Sequence, residues 1–103
     1  MTENTKDGVH TEFYENGQRK KMTTYENGKK ELEGTYKNDL INGLVRRWYE
    51  NGQQELEVNI IDDLKQGVQI GWYENGQKEK EINYDNGVIT NPKYWNEDGS
   101  VKE

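Results

Sequence analysis

The chain holds no cysteine, one histidine and one proline in 103 residues. Without cysteine, neither a disulfide frame nor a thiolate metal site can form. The lone His10 rules out a multi-histidine metal site and leaves no reserve for a catalytic triad elsewhere. Long apolar runs are missing too, so no segment reaches the roughly 20 residues of a membrane-spanning helix. The opening "MTENTKDG" lacks the apolar centre of a signal peptide, which gives a cytoplasmic protein as the expectation. Positive charge is scarce, with 14 Lys and Arg against 20 Asp and Glu and a formal charge of −6. That balance disfavours gripping a nucleic-acid backbone or entering an anionic membrane, and a basic protein is the better complement. Apolar residues make up only 29% of the chain, a composition that leans toward disorder unless large side chains do the burying.

Those side chains are present: seven Tyr, three Trp and one Phe. Aromatic faces can bury while their polar tips stay wet, so a thin core can be built from them. The aromatics recur in a phrase. Tyr-acid-Asn-Gly begins at Tyr14, Tyr25, Tyr49, Tyr73 and Tyr84, and "WNEDGS" from Trp95 is a looser copy. Asn-Gly suits the centre of a two-residue type I′ turn, where both residues need positive φ, so each copy is predicted to reverse the chain.

Between reversals, segments of about seven to twelve residues alternate apolar with polar, as strands do, and none has a helical period. The expected fold is all-β: a single-layer antiparallel meander of repeated hairpins with about eight to nine strands. Residues 1–7 form a flexible N-terminal segment and 8–103 the repeat domain. Superposing outgoing strands puts Phe13, Trp48 and Trp72 in one register, and superposing returning strands does the same for Tyr25, Tyr36, Ile60 and Tyr84. The core face expected from this is Val9, Thr11, Phe13, Leu32, Tyr36, Leu44, Trp48, Leu56, Val58, Ile60, Val68, Ile70, Trp72, Ile82 and Tyr84, with Glu, Lys, Gln and Asn opposite. Gly17, Gly52 and Gly76 are the structural turn glycines. The longer interval between Gly17 and Gly52 has room for one extra strand pair.

No constellation points to catalysis, and the chain is read as a non-enzyme without cofactor or metal. The carboxylates alternate with lysines as charge pairs on a wet sheet face. "NEDG" and "IDDLKQG" lack the oxygen alternation and distal glutamate of a calcium loop and read as turns. Tyr14, Tyr49 and Tyr73 allow two readings: covering of the turns, or a ladder of exposed rings that anchors a partner. Shared residues of a repeat encode the fold and differing ones recognition. The contact candidates are therefore Arg46, Arg47, Asn59, Asp62, Asp63, Lys65, Gln66 and Gln69, with Tyr49 and Tyr73 from the ladder.

"GVHTEFYENGQRKKMTTYENG", "GLVRRWYENGQQELEVNI" and "GVQIGWYENGQKEKEINYDNG" resemble the bacterial variant of the MORN repeat, over about residues 8–99. The resemblance implies a hairpin array that binds protein. Many bacterial chains of this kind are YwqK-like antitoxins, so it implies a neutraliser of a basic toxin; a general interaction scaffold is the wider expectation. "GWYENG" also resembles the aromatic hairpins of carbohydrate- and cell-wall-binding arrays, which is the alternative. "VITNPKYWNEDG" departs from the repeat, and Pro92 predicts a bulged or edge strand there. The final "SVKE" is either a short stub of the next strand or the trim point of a longer array. A linear meander leaves two open edges, and the one at residues 8–14 is poorly protected, so a weak homodimer or strand addition is expected there.

Overall fold

The structure, a computed structural model, describes residues 7–103. The expected flexible segment 1–7 lies outside the described residues except for Asp7. The elements are β1 (Gly8–Phe13), β2 (Arg19–Glu26), β3 (Lys29–Lys37), β4 (Leu40–Trp48), β5 (Gln54–Ile61), β6 (Leu64–Lys65), β7 (Gly67–Trp72), β8 (Lys78–Asp85) and β9 (Val88–Tyr94). They form one antiparallel sheet in the order β1-β2-β3-β4-β5-β7-β8-β9, with the two-residue β6 also on β5. The extents are 46 × 38 × 12 Å, the thickness of one layer. Among the described residues no helix is long and apolar enough to cross a membrane.

Turns of two kinds build the meander. Asn27-Gly28, Asn38-Asp39, Asp62-Asp63 and Asn86-Gly87 have positive φ at both residues, the type I′ geometry. The Tyr14, Tyr49 and Tyr73 copies do not. There only Gly17, Gly52 and Gly76 turn left-handed, with φ of 88°, 90° and 91°. Each glycine N–H donates to the tyrosine carbonyl, and each tyrosine N–H donates to the carbonyl of Gln18, Gln53 or Gln77. That is a three-residue loop ending in a glycine bulge, and the bulges fall beside Phe13, Trp48 and Trp72. Asn96 to Gly99 closes the same way. So the type I′ expectation holds for the Tyr25 and Tyr84 copies and is corrected for the other three.

Directly opposed residues share a face, so the register assigns the side chains. One row runs Thr23, Glu33, Arg46, Glu57, Ile70, Glu81, Lys93, and its side of the sheet is the ladder face. The other side, the aliphatic face, carries Met22, Gly34, Val45 and Val58 in one row, with Gln69 opposite Ile82. Of the expected core, Leu44, Trp48, Val68, Ile70 and Trp72 lie on the ladder face and the other ten on the aliphatic face. Spacing within a strand does not say how the parities of two strands combine; the hairpin register does, placing Leu56 opposite Arg47 rather than beside Trp48. The core is correspondingly thin. Val58 and Ile82 are 5% and 6% exposed, while Phe13, expected in the core, is 59% exposed on the edge strand.

Three strands separate Gly17 from Gly52, whereas two full-length strands separate Gly52 from Gly76. The long interval therefore holds one extra strand, not a pair. An odd count reverses the array. The turns at 14–17, 38–39, 62–63 and 86–87 share one end of the sheet, here the near end. Those at 27–28, 49–52, 73–76 and 96–99 share the far end. The first unit is thus inverted, and Phe13 occupies the opposite face and end from Trp48 and Trp72. At the other edge, β9 contains Pro92 and its register slips against β8 between Glu81 and Asn83, as the proline predicts.

Candidate functional site

The repeated phrase is a device for joining each turn to the next. Tyr49 Oη donates to Trp72 O at 2.5 Å, Tyr73 Oη to Trp95 O at 2.7 Å, and Tyr14 Oη to Tyr36 O at 3.1 Å. Asn51 Nδ2 donates to Glu74 O and Asn75 Nδ2 to Glu97 O, at 2.9 and 2.8 Å. The same asparagines accept from Gln53 N and Gln77 N through Oδ1, which fixes their rotamer. Tyr49 and Tyr73 are therefore bound into the sheet through their hydroxyls, on the covering side of the two readings. Burial raises the Tyr49 pKa, and the nearby charges of Glu55, Glu79 and Glu74 raise it further.

At the far end, Glu26, Glu50 and Glu74 stand at the turns, 24 residues apart. Glu31, Glu55 and Glu79 repeat at the same interval, each the extra residue in the register shift beside its turn. Among the described residues, none of these six carboxylates has a cation within 4 Å; the ion pairs go to Glu33, Asp39, Glu57 and Glu81. The same end holds Trp48, Trp72 and Trp95, with Lys30 Nζ 5.4 Å from the Trp48 ring centroid and Lys78 Nζ 5.7 Å from that of Trp95. A cleft of about 560 Å³ opens between the turns at 27–28 and 49–52.

Behind it the ladder face is internally neutralised. Glu33 receives Lys21 at 3.1 Å, Lys30 at 3.5 Å and Arg46 at 3.8 Å. Burial pushes its carboxyl up, but the Lys21 hydrogen bond and the charges of Lys30 and Lys21 outweigh burial, so its pKa falls below the ordinary range.

The sequence-predicted contact residues are dispersed. Arg46 lies mid-ladder between Glu33 and Glu57, and Arg47 is exposed on the opposite face. Asn59, Asp62, Asp63, Lys65 and Gln66 gather at the near end, where Gln66 Oε1 accepts from Asn86 N and Lys65 covers the Tyr84 ring. Gln69 is 4% exposed in the aliphatic face. Only Tyr49 and Tyr73 belong to the far end. The glutamate columns were missed because glutamates beside lysines read as ordinary sheet-face pairs. Their 24-residue interval, shared with the turns, was the signal that could have found them.

The sequence matches the MORN repeat variant family over residues 6–27, 25–38, 41–61 and 65–86, most of its length. The chain belongs to the MORN repeat variant family. Comparison with curated proteins and with solved structures gives no match. In this member of the family, the matched repeats at 41–61 and 65–86 are strand pairs whose three-residue turn is tied to the next by a tyrosine and an asparagine.

Proposed function

We propose that this MORN repeat variant protein is a non-catalytic protein-binding module that covers a basic partner, in the manner of an antitoxin or immunity protein neutralising a toxin. Its repeat architecture supports a binding role. The observation that carries the choice of partner is the double column of glutamates along the far end, beside Trp48 and Trp72, with no ion pair among the described residues. One repeat spans two strands, or about 9.5 Å, so successive carboxylates stand near one Debye length at physiological salt and reinforce one another's field. Such an edge speeds the approach of a cationic surface and repels an anionic one.

The test is isolation of the chain from its source cells at low ionic strength, followed by reconstitution and co-expression. A stoichiometric basic protein is expected, released by added salt, whose harm to the cell is suppressed when both are made together. An acidic partner, or affinity indifferent to salt, overturns the far-end reading. A basic partner whose activity persists in the complex overturns neutralisation.

A further inference from the structure

The later far-end turns are joined by a tyrosine hydroxyl and an asparagine amide, but the first interval is not. The turn at Asn27-Gly28 belongs to the extra strand and has the two-residue geometry, so its tyrosine, Tyr25, stays paired with Lys30 within the sheet instead of opening a three-residue loop as Tyr49 and Tyr73 do. Lys29 Nζ reaches across the gap to Glu50 O at 3.1 Å. The cleft of about 560 Å³ is what remains, walled by Trp48 and Tyr49 and rimmed by Glu26, Glu31, Glu50 and Glu74. Two lysines line it as well, Lys29 on the Glu50 carbonyl and Lys30 paired with Glu33 above the Trp48 ring, so the lining sets four carboxylates against two ammonium groups and stays net negative.

We propose that this cleft is an anchor pocket for one arginine side chain of the partner. The guanidinium pairs with the Glu50 carboxylate at the middle of the rim, between Glu26 and Glu74, and the methylene stem lies along Trp48. The inference deepens the binding role proposed above and rests on it for the partner's protein nature. Arginine suits the site better than lysine, because a planar fork can pair with a carboxylate through two bonds and is less strongly hydrated than an ammonium. An acidic side chain would meet a lining in which carboxylates outnumber ammonium groups four to two. The pocket arises where the array reverses, so the irregularity that breaks the repeat also makes one position unlike the rest.

The experiment titrates the intact, ¹⁵N-labelled protein with the blocked peptide acetyl-Gly-Arg-Gly-amide and follows the indole N–H signals of Trp48, Trp72 and Trp95. The lysine and citrulline versions of the peptide serve as comparisons. A saturable shift centred on Trp48 is expected, several-fold weaker for lysine and absent for neutral citrulline. Glu50→Gln with Glu74→Gln should weaken binding by about tenfold, from the loss of the part-exposed Glu50 pair and of the neighbouring Glu74 charge. Among the described residues neither carboxylate makes an ion pair or a side-chain hydrogen bond, so the remaining spectrum should be unchanged. Equal shifts at all three tryptophans, equal binding of citrulline, no saturable shift, or indifference to the double substitution each overturn the pocket. Equal shifts would still leave an acidic binding edge. A saturable Trp48 site in a protein that has no basic partner would sink the proposed function and keep the pocket.

Discussion

Tyr49→Phe separates the turn-joining role of the tyrosines from a ladder of free rings. The substitution keeps the ring and deletes one hydroxyl, the one that donates to Trp72 O at 2.5 Å across two strands. A net protein hydrogen bond contributes about 0.5–1.5 kcal/mol, and a half-buried carbonyl stripped of its donor adds to the loss, so about 1–2 kcal/mol is expected. In a domain of this size each kcal/mol moves the midpoint by roughly 4–8 °C, which puts the drop at about 4–16 °C. Tyr73→Phe, with its bond at 2.7 Å, should lose a similar amount, and Tyr14→Phe, at 3.1 Å, less. Because Tyr73 follows the residue that Tyr49 binds, the double variant should lose less than the sum of the singles. The assay is thermal and urea unfolding followed by far-ultraviolet circular dichroism and tryptophan fluorescence. A Tyr49→Phe protein that melts within a degree of the parent would refute the joining role and return the hydroxyl to the recognition surface.

Gly52→Ala adds a Cβ with nothing within 4 Å at φ +90°, so backbone strain alone should cost about 1–2 kcal/mol. Gly43→Ala should cost more, because its Cβ falls 2.6 Å from Thr35 Oγ1, which bonds Asn42 O and Leu44 O where the β3–β4 register shifts between Gly34 and Tyr36; equal losses in urea unfolding would remove that clasp. Gln69→Met should stabilise by about 1–3 kcal/mol, since Gln69 Oε1 is buried without a partner among the described residues, and an unchanged midpoint would show that it is satisfied in solution. Glu33 has a folded pKa lowered below its unfolded value, so its contribution is complete above the ordinary glutamate range and fades as pH falls through the lowered value. Glu33→Gln should therefore flatten the acid limb of stability between about pH 5 and 3, and parallel limbs would contradict the pairing. The open edge at β1 exposes Val9 and Phe13, and Val9→Lys should abolish the weak self-association expected there; sedimentation that shows no concentration dependence in the parent would end that hypothesis.

The all-β class and most turn positions were legible in the sequence because turn chemistry is local: Asn, Asp and Gly mark left-handed backbone whatever surrounds them. Even Asn91, with φ of 53° where the preceding repeat has Gly67, follows that rule. The repeat was legible for the same reason, since each Tyr-Glu-Asn-Gly-Gln copy carries its own internal bonds. Which face a side chain takes was not local. "GLVRRW" offers both Leu44 and Val45 to a core, and only the pairing of β4 with β5 sets Val45 opposite Val58 and turns Leu44 to the ladder face. The site was hidden for a related reason. A single extra strand reverses the end at which every later turn emerges, so Tyr14 and Tyr49, identical in their local sequence, join opposite ends of the sheet. The sequence alone determined where the chain turns, because that depends on neighbouring dihedrals; tertiary structure decided which turns stand side by side, and so where the glutamates gather and the cleft opens, because that depends on the parity of all the strands between them.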